Sequence, residues 1–194
     1  MTTTVQKWRV VALVLVTLLL AFGLGAYLRS RAASEGGVLG GEGGGGDEPT
    51  TTYTDPGGAF SFPYPRSWGQ ATQPGEAIRV AGRDEFIGIS IVASASAPLD
   101  YGTSDAGPLA AASPGYQGQA LKAYKVAGQS GAMVAYTWQS PASAVTGKPV
   151  PSSARRYYIP GPGGKLAVLT YSSPTRTYDP AGADDFANAF KWLK

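Results

Sequence analysis

Oxygen-bearing side chains at positions 100 to 105 form the part of this sequence that comes nearest to a metal site. Asp100 and Asp105 enclose Tyr101, Thr103 and Ser104, and together they offer carboxylate and hydroxyl oxygens of the kind that Ca²⁺ takes as ligands. The spacing does not follow a calcium-binding loop, because no closing acidic ligand stands at the required position. We therefore interpret both aspartates as exposed loop residues, and the sequence assigns no metal ligand.

Catalytic motifs are missing from the sequence. The chain has no histidine and no cysteine, which removes the commonest general base near neutral pH, thiol nucleophiles, disulfides and cysteine-type zinc sites. Residues 161–165 contain a Gly-Lys pair but lack the glycine spacing and the Ser/Thr of a phosphate-binding loop. Gly41, Gly43 and Gly46 match GxGxxG, but no strand precedes them and no helix follows. We predict no enzyme, no catalytic residue and no cofactor-binding residue.

The net charge of +3 does not indicate a polyanionic partner. Residues 1–48 carry four Lys/Arg and four Asp/Glu, so the excess lies in the rest of the chain, where twelve basic residues stand against nine acidic ones. The twelve are scattered, and only Arg155 and Arg156 are adjacent. A nucleic-acid-binding protein shows a clustered basic stripe with interleaved aromatic residues. We predict that the protein does not bind nucleic acid.

An uncharged segment near the N-terminus has the length of a membrane span. Residues 10–28 form a run of nineteen residues without a charge, and at about 1.5 Å per residue they span close to the ~30 Å of a bilayer core. Basic residues flank the run on both sides, so the orientation depends on the free N-terminal amine and on the export of a long C-terminal domain. We predict a single-pass transmembrane helix or signal anchor, with residues 1–9 in the cytoplasm. Cleavage after Ala32 is the alternative and would secrete the domain.

The next segment is predicted to be a tether. Residues 29–52 include the run GGVLGGEGGGGDEPTTT, which lacks the apolar content of a core. About twenty such residues have an end-to-end distance near 25 Å. Residues 53–194 are long enough to bury nearly 70% of their unfolded surface, and they are predicted to form one extracytoplasmic globular domain.

Apolar alternation in that domain predicts a mostly antiparallel sheet. Phe60, Phe62 and Tyr64 alternate on one face of a first strand, and we assign them, with Trp68, to the core. Pro63 has no amide donor, so this strand is expected at a sheet edge or to end there. Turn residues then predict three hairpins, which pair residues 77–81 with 86–93, 121–126 with 133–138, and 156–159 with 166–171.

One long helix and one short helical piece are predicted in the domain. Residues 98–118 are rich in Gly, Pro, Ser and Asp and are predicted to be an irregular loop with a short helical piece near residues 109–112. The C-terminal residues 181–193 place large apolar side chains on one face and are predicted to form a helix that covers the sheet. Asp184 and Asp185 are assigned to its first turn, where the helix dipole favours acidic residues. Strands followed by a covering helix indicate an α+β fold.

Both ends of the domain resemble PsbP-like domains. Residues 53–68, YTDPGGAFSFPYPRSW, pass from a small turn into an aromatic strand, then a Tyr-Pro and a Trp, as the start of these domains does. Residues 164–174, GKLAVLTYSSP, precede a helix that closes on Phe190 and resemble the last strand and C-terminal helix of the family. The chain resembles an N-terminally membrane-anchored, bacterial-type member of this family.

The resemblance implies a fold and a class of function. The implied fold is the Mog1/PsbP-like α-β-α sandwich around an antiparallel sheet. The implied role is that of a non-catalytic accessory domain, known best from extrinsic subunits of photosystem II that help retain calcium and chloride near the manganese cluster. Ca²⁺ or Mn²⁺ would be a cofactor by this resemblance alone, although the lack of histidine speaks against a metal role.

These observations lead to one functional hypothesis and one main alternative. The hypothesis is a membrane-tethered extracytoplasmic interaction domain that docks to a membrane protein complex or envelope partner. The alternative is an extracytoplasmic domain that binds a small ligand, Ca²⁺ or Mn²⁺, with residues 98–118 as a lid. An enzyme built from Ser, Lys and Tyr is a third hypothesis that no motif supports.

Overall fold

The computed structural model describes residues 48–143 and 146–193, and strands are the commonest regular element in these ranges. The predicted transmembrane segment 10–28 and the predicted tether as far as residue 47 lie outside these ranges. Within them, no helix combines the length and the hydropathy that a membrane crossing requires.

Eleven strands, two α-helices and a 3₁₀ turn at Pro162–Gly164 follow one another in the described ranges. Their bounds are β1 Thr50–Thr54, β2 Phe60–Pro65, β3 Gly69–Ala71, β4 Ile78–Ala81, β5 Phe86–Ala93, α1 Pro98–Ala112, β6 Gln117–Gly118, β7 Lys122–Val126, β8 Gln129–Ser140, β9 Val150–Pro160, β10 Lys165–Pro174, α2 Pro180–Ala189 and β11 Lys191–Trp192.

The strands form two antiparallel sheets. The large sheet has the order β3-β4-β5-β10-β9-β8-β6, with β7 also paired to β8, and the small sheet has the order β1-β2-β11. The small sheet and α2 pack on one face of the large sheet, which we call the inner face. Helix α1 packs on the opposite, outer face. The predicted α+β sandwich with a mostly antiparallel sheet is confirmed.

The aromatic residues of β2 fill the space between the two sheets. Phe60, Phe62 and Tyr64 are buried because alternate residues of a strand point to the same face, and here that face meets the large sheet. Trp68 is buried beside them, in contact with the ring of Phe186 at a centroid distance of 6.2 Å. Burial of each large aromatic side chain contributes about 1.5–3 kcal/mol. The core assignment of these residues is confirmed.

The small sheet includes residues before the predicted domain boundary at residue 53. Thr50–Thr54 form β1 and pair along their whole length with β2. The Gly-rich composition ends before these residues, and the run of β-branched threonines has a high strand propensity. The last three residues of the predicted tether therefore belong to the small sheet.

Pro63 does not mark a sheet edge, because β2 is the central strand of the small sheet. Backbone hydrogen bonds join β1 to β2 at odd-numbered residues of β1, so the pair of Pro63 with Thr52 needs no amide donor from the proline. On the other side, β11 pairs with Phe60 and Ser61 only and ends before it reaches the proline. The edge prediction is wrong, since both neighbours leave the nitrogen of Pro63 without a required partner.

All three predicted hairpins are confirmed, as β4–β5, β7–β8 and β9–β10. The tightest is β7–β8, which turns through Ala127 and Gly128 with φ values of 51° and 76°. Positive φ at both central residues is the requirement of a type I′ turn. The N–H of Ala127 also donates to Asn188 Oδ1 at 3.0 Å, which joins this turn to α2.

The loop predicted over residues 98–118 is instead the helix α1 for most of its length. Its glycines and Pro108 disfavour a helix locally, but tertiary packing overrides that preference. At Gly102 the helix lies so close to the sheet that an added Cβ would be 2.9 Å from Leu121 and 3.0 Å from Tyr158. Leu109 is buried against the outer face as well. Composition alone therefore gave the wrong prediction here.

The C-terminal helix is confirmed, but its predicted end at residue 193 is wrong. Helix α2 stops at Ala189, and Phe190 adopts an extended conformation with φ −62° and ψ 138°. The chain then adds β11 to the small sheet, and the indole of Trp192 donates to Pro160 O at 2.9 Å. Phe190 is buried from this extended position, so its apolar character reflects the core rather than a continuing helix.

Candidate functional site

Two polar clusters lie on opposite faces of β9. Residues Arg155 and Tyr157 of this strand point to the inner face, and Arg156 and Tyr158 point to the outer face. Each pair meets one aspartate from the helix on its own side. We call the inner group, with Asp184 of α2, the inner clamp, and the outer group, with Asp105 of α1, the outer clamp.

The inner clamp saturates the carboxylate of Asp184. Its Oδ1 accepts hydrogen bonds from Arg155 Nη1 at 2.5 Å and from the hydroxyl of Tyr157 at 2.6 Å. Its Oδ2 accepts from the hydroxyl of Tyr124 in β7 at 2.7 Å. Arg155 Nη1 also donates to Pro180 O at 3.0 Å, at the start of α2. Charge-assisted bonds of this kind are the strong ones, so they fix α2 on the sheet.

The titratable groups of the inner clamp keep one protonation state near neutral pH. Burial raises the pKa of Asp184, but the hydrogen bonds from Arg155, Tyr157 and Tyr124 outweigh it and leave that pKa below its usual range. Burial, together with the hydrogen bond to Asp184, raises the pKa of Tyr157 far above its usual value. The carboxylate therefore stays ionised and the phenol stays protonated near neutral pH. No group of the clamp is poised to exchange a proton with a substrate.

The outer clamp is built from the same residue types. Asp105 Oδ2 accepts from the hydroxyl of Tyr158 at 2.9 Å and lies 2.9 Å from Arg156 Nε. Beside the clamp, the rings of Tyr116 and Tyr136 lie 5.2 Å apart. Burial raises the pKa of Tyr136 to about 12, so this phenol also stays protonated. The outer clamp holds α1 on the sheet as the inner clamp holds α2.

The structure corrects the assignments of two aspartates. Asp105 is a partly buried partner of Arg156 rather than an exposed loop residue. Asp184 lies beyond the first turn of α2, where its carboxylate binds the sheet instead of the helix dipole. Asp100 is exposed in the first turn of α1, and Asp185 is exposed as well. In residues 48–143 and 146–193, no group of three or more potential metal-ligating side chains comes together.

A third group of side chains lies on the outer face, towards the β4 edge. Arg79 donates to both carboxylate oxygens of Glu76, at 2.8 and 2.6 Å. Its guanidinium carbon lies 4.0 Å from the ring centre of Phe86. Gly88 makes room for this arrangement, because an added Cβ would lie 2.6 Å from Glu76 Oε1.

Trp138 of β8 completes this group by reaching across two strands. Its ring meets that of Phe86 edge to face at 6.3 Å, and its indole N–H donates to Ser172 Oγ at 3.0 Å. The indole can cross β9 and β10 because the residues below it, Ala154 and Ser172, are small and buried. We call the group of Glu76, Arg79, Phe86 and Trp138 the outer patch.

Sequence reasoning did not single out the outer patch or the clamps as sites. In the sequence, Phe86 is only the first residue of the predicted strand 86–93, and Trp138 only the last residue of the predicted strand 133–138. The signal that was available is the Arg-Arg-Tyr-Tyr run at residues 155–158, in which alternate residues of one strand repeat the pair Arg and Tyr on both faces.

A shallow groove of about 260 Å³ lies at the end of β8 and the start of β9. Gln117, Thr137, Gln139 and Thr175 are among the residues that line it, and no Asp or Glu is among its described lining residues. Ligand or metal binding would require a closed pocket with clustered carboxylates. This groove therefore does not provide such a pocket.

Comparison with solved structures decides the fold. No family model and no curated protein matches the sequence. The cyanobacterial PsbP (CyanoP) from Synechocystis sp. PCC 6803 is 20% identical, with 80% of this chain and 99% of that chain covered and a TM-score of 0.53. The protein has a PsbP-like fold. The implied fold is thus confirmed, and at this identity the likeness concerns the fold alone.

Two further solved structures are similar to this chain. A protein from Bacteroides thetaiotaomicron VPI-5482 is 14% identical over 74% of this chain and 48% of that chain, with a TM-score of 0.52. The Ran-binding protein Mog1p of Saccharomyces cerevisiae is 10% identical over 75% of this chain and 96% of that chain, with a TM-score of 0.47.

On this PsbP-like framework, the outer patch differs in character from the two clamps. In the clamps, the carboxylates of the two aspartates are engaged internally by arginine and tyrosine, between strand and helix. Helix α1 packs on β8 and β9, whereas the outer patch is centred on β4 and β5, which Trp138 reaches from the end of β8. Its side chains keep part of their surface in solvent. It can therefore offer flat aromatic and guanidinium surface to another molecule.

Proposed function

We propose that this chain is an accessory interaction domain that docks, through the outer patch, to a membrane protein complex on the extracytoplasmic side. The observation that carries the proposal is the composition of the patch. Trp, aromatic and Arg side chains dominate the energetically important positions of protein interfaces. Here Arg79, Phe86 and Trp138 meet in one partly exposed surface.

Preorganisation supports docking through this surface. The bidentate contact with Glu76 and the hydrogen bond to Ser172 fix the rotamers of Arg79 and Trp138 before any partner arrives. Ordering a flexible side chain on binding costs about 0.5–1.5 kcal/mol in lost entropy. A side chain that is already ordered avoids most of this cost. The patch is also internally neutralised, since Glu76 balances Arg79, so a partner need not supply a countercharge.

A non-catalytic role fits the chemistry of the described residues. Both clamp aspartates are engaged by arginine and tyrosine. The chain has neither histidine nor cysteine to act as general base or thiol nucleophile. The location rests on the sequence, because residues 10–28 have the length and hydropathy of a membrane span and would keep the domain at the membrane surface.

The docking proposal is tested by capture of the tagged full chain from its native membranes with three variants. We expect a stoichiometric partner with the wild-type chain, loss of that partner with Arg79→Ala and Trp138→Ala, and retention with Lys125→Ala. Lys125 is an exposed residue of β7 and serves as the matched control. Thermal unfolding of each variant separates loss of docking from loss of folding. Equal capture by all variants would refute docking through the outer patch.

The predicted location has its own test. Protease added to intact cells or sealed vesicles of known orientation should digest the domain from the extracytoplasmic side only. Digestion that requires opening of the cytoplasmic compartment would contradict the predicted location. It would not affect docking through the outer patch, which the capture experiment tests.

A further inference from the structure

The outer edge of β1 presents unpaired backbone groups. Among the described residues, β1 pairs with β2 alone. The odd-numbered positions bond to β2, as the N–H of Asp55 does to Phe60 O at 2.9 Å. In an antiparallel pair the intervening residues, Thr50, Thr52 and Thr54, therefore direct their N–H and C=O groups away from the sheet. All three residues are exposed.

The other sheet edges carry protection that β1 lacks. The described edge strands β3, β6 and β11 are only three, two and two residues long. The edge strand β7 carries Lys122 and Lys125, both exposed. Short length and lysines are the usual means of keeping an edge from pairing with another chain. In contrast, β1 has five residues, TTTYT, without a charge or a proline.

We infer that β1 is a self-association edge, which pairs antiparallel with β1 of a second copy of this chain about a twofold axis at Thr52. The axis places Thr52 opposite Thr52 of the second copy, and Thr50 opposite Thr54. Each outward N–H and C=O of one copy then meets an outward group of the other. Thr52 is the middle of the three outward residues, so this register also gives the full overlap of both strands.

The sequence of β1 favours a second copy over an unrelated segment. In this register Thr faces Thr at the outward positions, and Thr51 faces Tyr53. Such pairs contribute about 0.2–1 kcal/mol each, and no like charges stand opposite each other within the strand. The two small sheets would join into one sheet of twice the width. The small sheet lies on the inner face of the large sheet, so the outer patch stays accessible in such a dimer.

Single cysteines test the register directly, because the chain contains none of its own. Opposite residues of a hydrogen-bonded pair lie about 5.5 Å apart, so a bismaleimide shorter than about 10 Å can join Thr52→Cys to its copy. In Thr50→Cys the two thiols lie four residues apart along the strands, or about 13 Å. We expect the full chain in detergent to give a covalent dimer with Thr52→Cys, none with Thr50→Cys, and a heterodimer when Thr50→Cys and Thr54→Cys are mixed.

Sedimentation equilibrium supplies a second readout. Thr52→Pro removes an N–H that faces outward and leaves the bonds between β1 and β2 in place, as a proline on an edge strand can. We expect the wild-type chain to show a monomer–dimer equilibrium and Thr52→Pro to be monomeric at the same concentrations. If Thr52→Pro does not fold, the cross-linking pattern decides alone. Monomeric wild-type protein, or equal cross-linking of all three cysteine variants, would overturn the inference.

Discussion

Arg155 and Arg156 are adjacent in the chain, yet their guanidinium groups contact carboxylates on opposite sides of the same sheet. Arg155 reaches Asp184 of α2 on the inner face, and Arg156 reaches Asp105 of α1 on the outer face. One strand, β9, therefore holds both helices. The same alternation places Tyr157 with Arg155, and a second tyrosine with Arg156, so each helix is held by one arginine and one tyrosine.

The inner clamp should be important for stability. Asp184→Ala leaves Arg155 and the hydroxyls of Tyr157 and Tyr124 without their acceptor, and we expect a loss of about 2–4 kcal/mol in the free energy of unfolding. Chemical denaturation at pH 7 measures this loss. Asp185→Ala, at an exposed neighbouring position, is the control and should change stability by less than about 0.5 kcal/mol. Equal effects of the two variants would contradict the assigned role of the clamp.

The contribution of Asp184 should depend on pH in the acid range. Its pKa is lower in the folded protein than its ordinary value of about 4. A depressed folded pKa means that the stabilisation is complete above the unfolded pKa and is lost as pH falls through the folded one. We expect the stability difference between wild type and Asp184→Asn to be constant from pH 7 to about 5 and to shrink below about pH 4. A stability difference that grows on acidification would show that the pKa of Asp184 is raised, not lowered, in the folded protein.

Two glycines of α1 should respond in opposite ways to alanine. At Gly102 a Cβ would meet Leu121 and Tyr158 at 2.9 and 3.0 Å, and we expect Gly102→Ala to destabilise by about 1–3 kcal/mol. At Gly107 a Cβ meets nothing within 4 Å, so Gly107→Ala should stabilise by about 0.5–1 kcal/mol through helix propensity. Denaturant titration of both variants measures the contrast. Stabilisation by both would mean that α1 does not pack at Gly102.

Gly88 should control the outer patch without controlling the fold. Gly88→Ala places a methyl group against the carboxylate of Glu76, which is the mobile end of a flexible side chain and can move away. We expect the contact between Glu76 and Arg79 to break, at a stability cost below about 1 kcal/mol. A crystal structure of the variant shows the rotamer of Arg79, and thermal unfolding gives the cost. An unchanged bidentate contact would contradict the role assigned to Gly88.

Metal titration separates the docking proposal from the ligand-binding alternative. Calorimetry of the full chain with Ca²⁺ and with Mn²⁺ should give no saturable heat, because Asp105 and Asp184 are engaged by arginine and tyrosine. Asp100 is exposed in α1, and Asp105, the other acidic residue of the predicted loop, is paired with Arg156. Stoichiometric binding of either ion would favour the alternative, and Asp100→Ala would then show whether that residue contributes.

The β framework was predictable from the sequence because its signals are local. Alternation of Phe60, Phe62 and Tyr64 identified β2 and its buried face, and turn residues identified the three hairpins. The aromatic strand near the start and the apolar strand near the end also carried the resemblance to PsbP-like domains. Each of these signals lies within about a dozen neighbouring residues, where chain geometry alone fixes which side chains share a face.

Contacts between distant residues could not be predicted in the same way. Asp105 lies fifty-one positions before Arg156, and a sequence taken alone does not show that α1 forms and crosses β9 at that point. Helix α1 itself depends on such packing, since Gly102 allows the close approach while its local preference disfavours a helix.

The sequence by itself determined the antiparallel strands, their turns and the aromatic side of the core, because the alternation of apolar side chains and the choice of turn residues depend on neighbouring positions. Only the tertiary structure decided that two neighbouring arginines hold helices on opposite faces and that Arg79, Phe86 and Trp138 share one surface. The physical reason is that these contacts join strands and helices far apart in the chain, and their order in the sheets is set by the burial of the whole core.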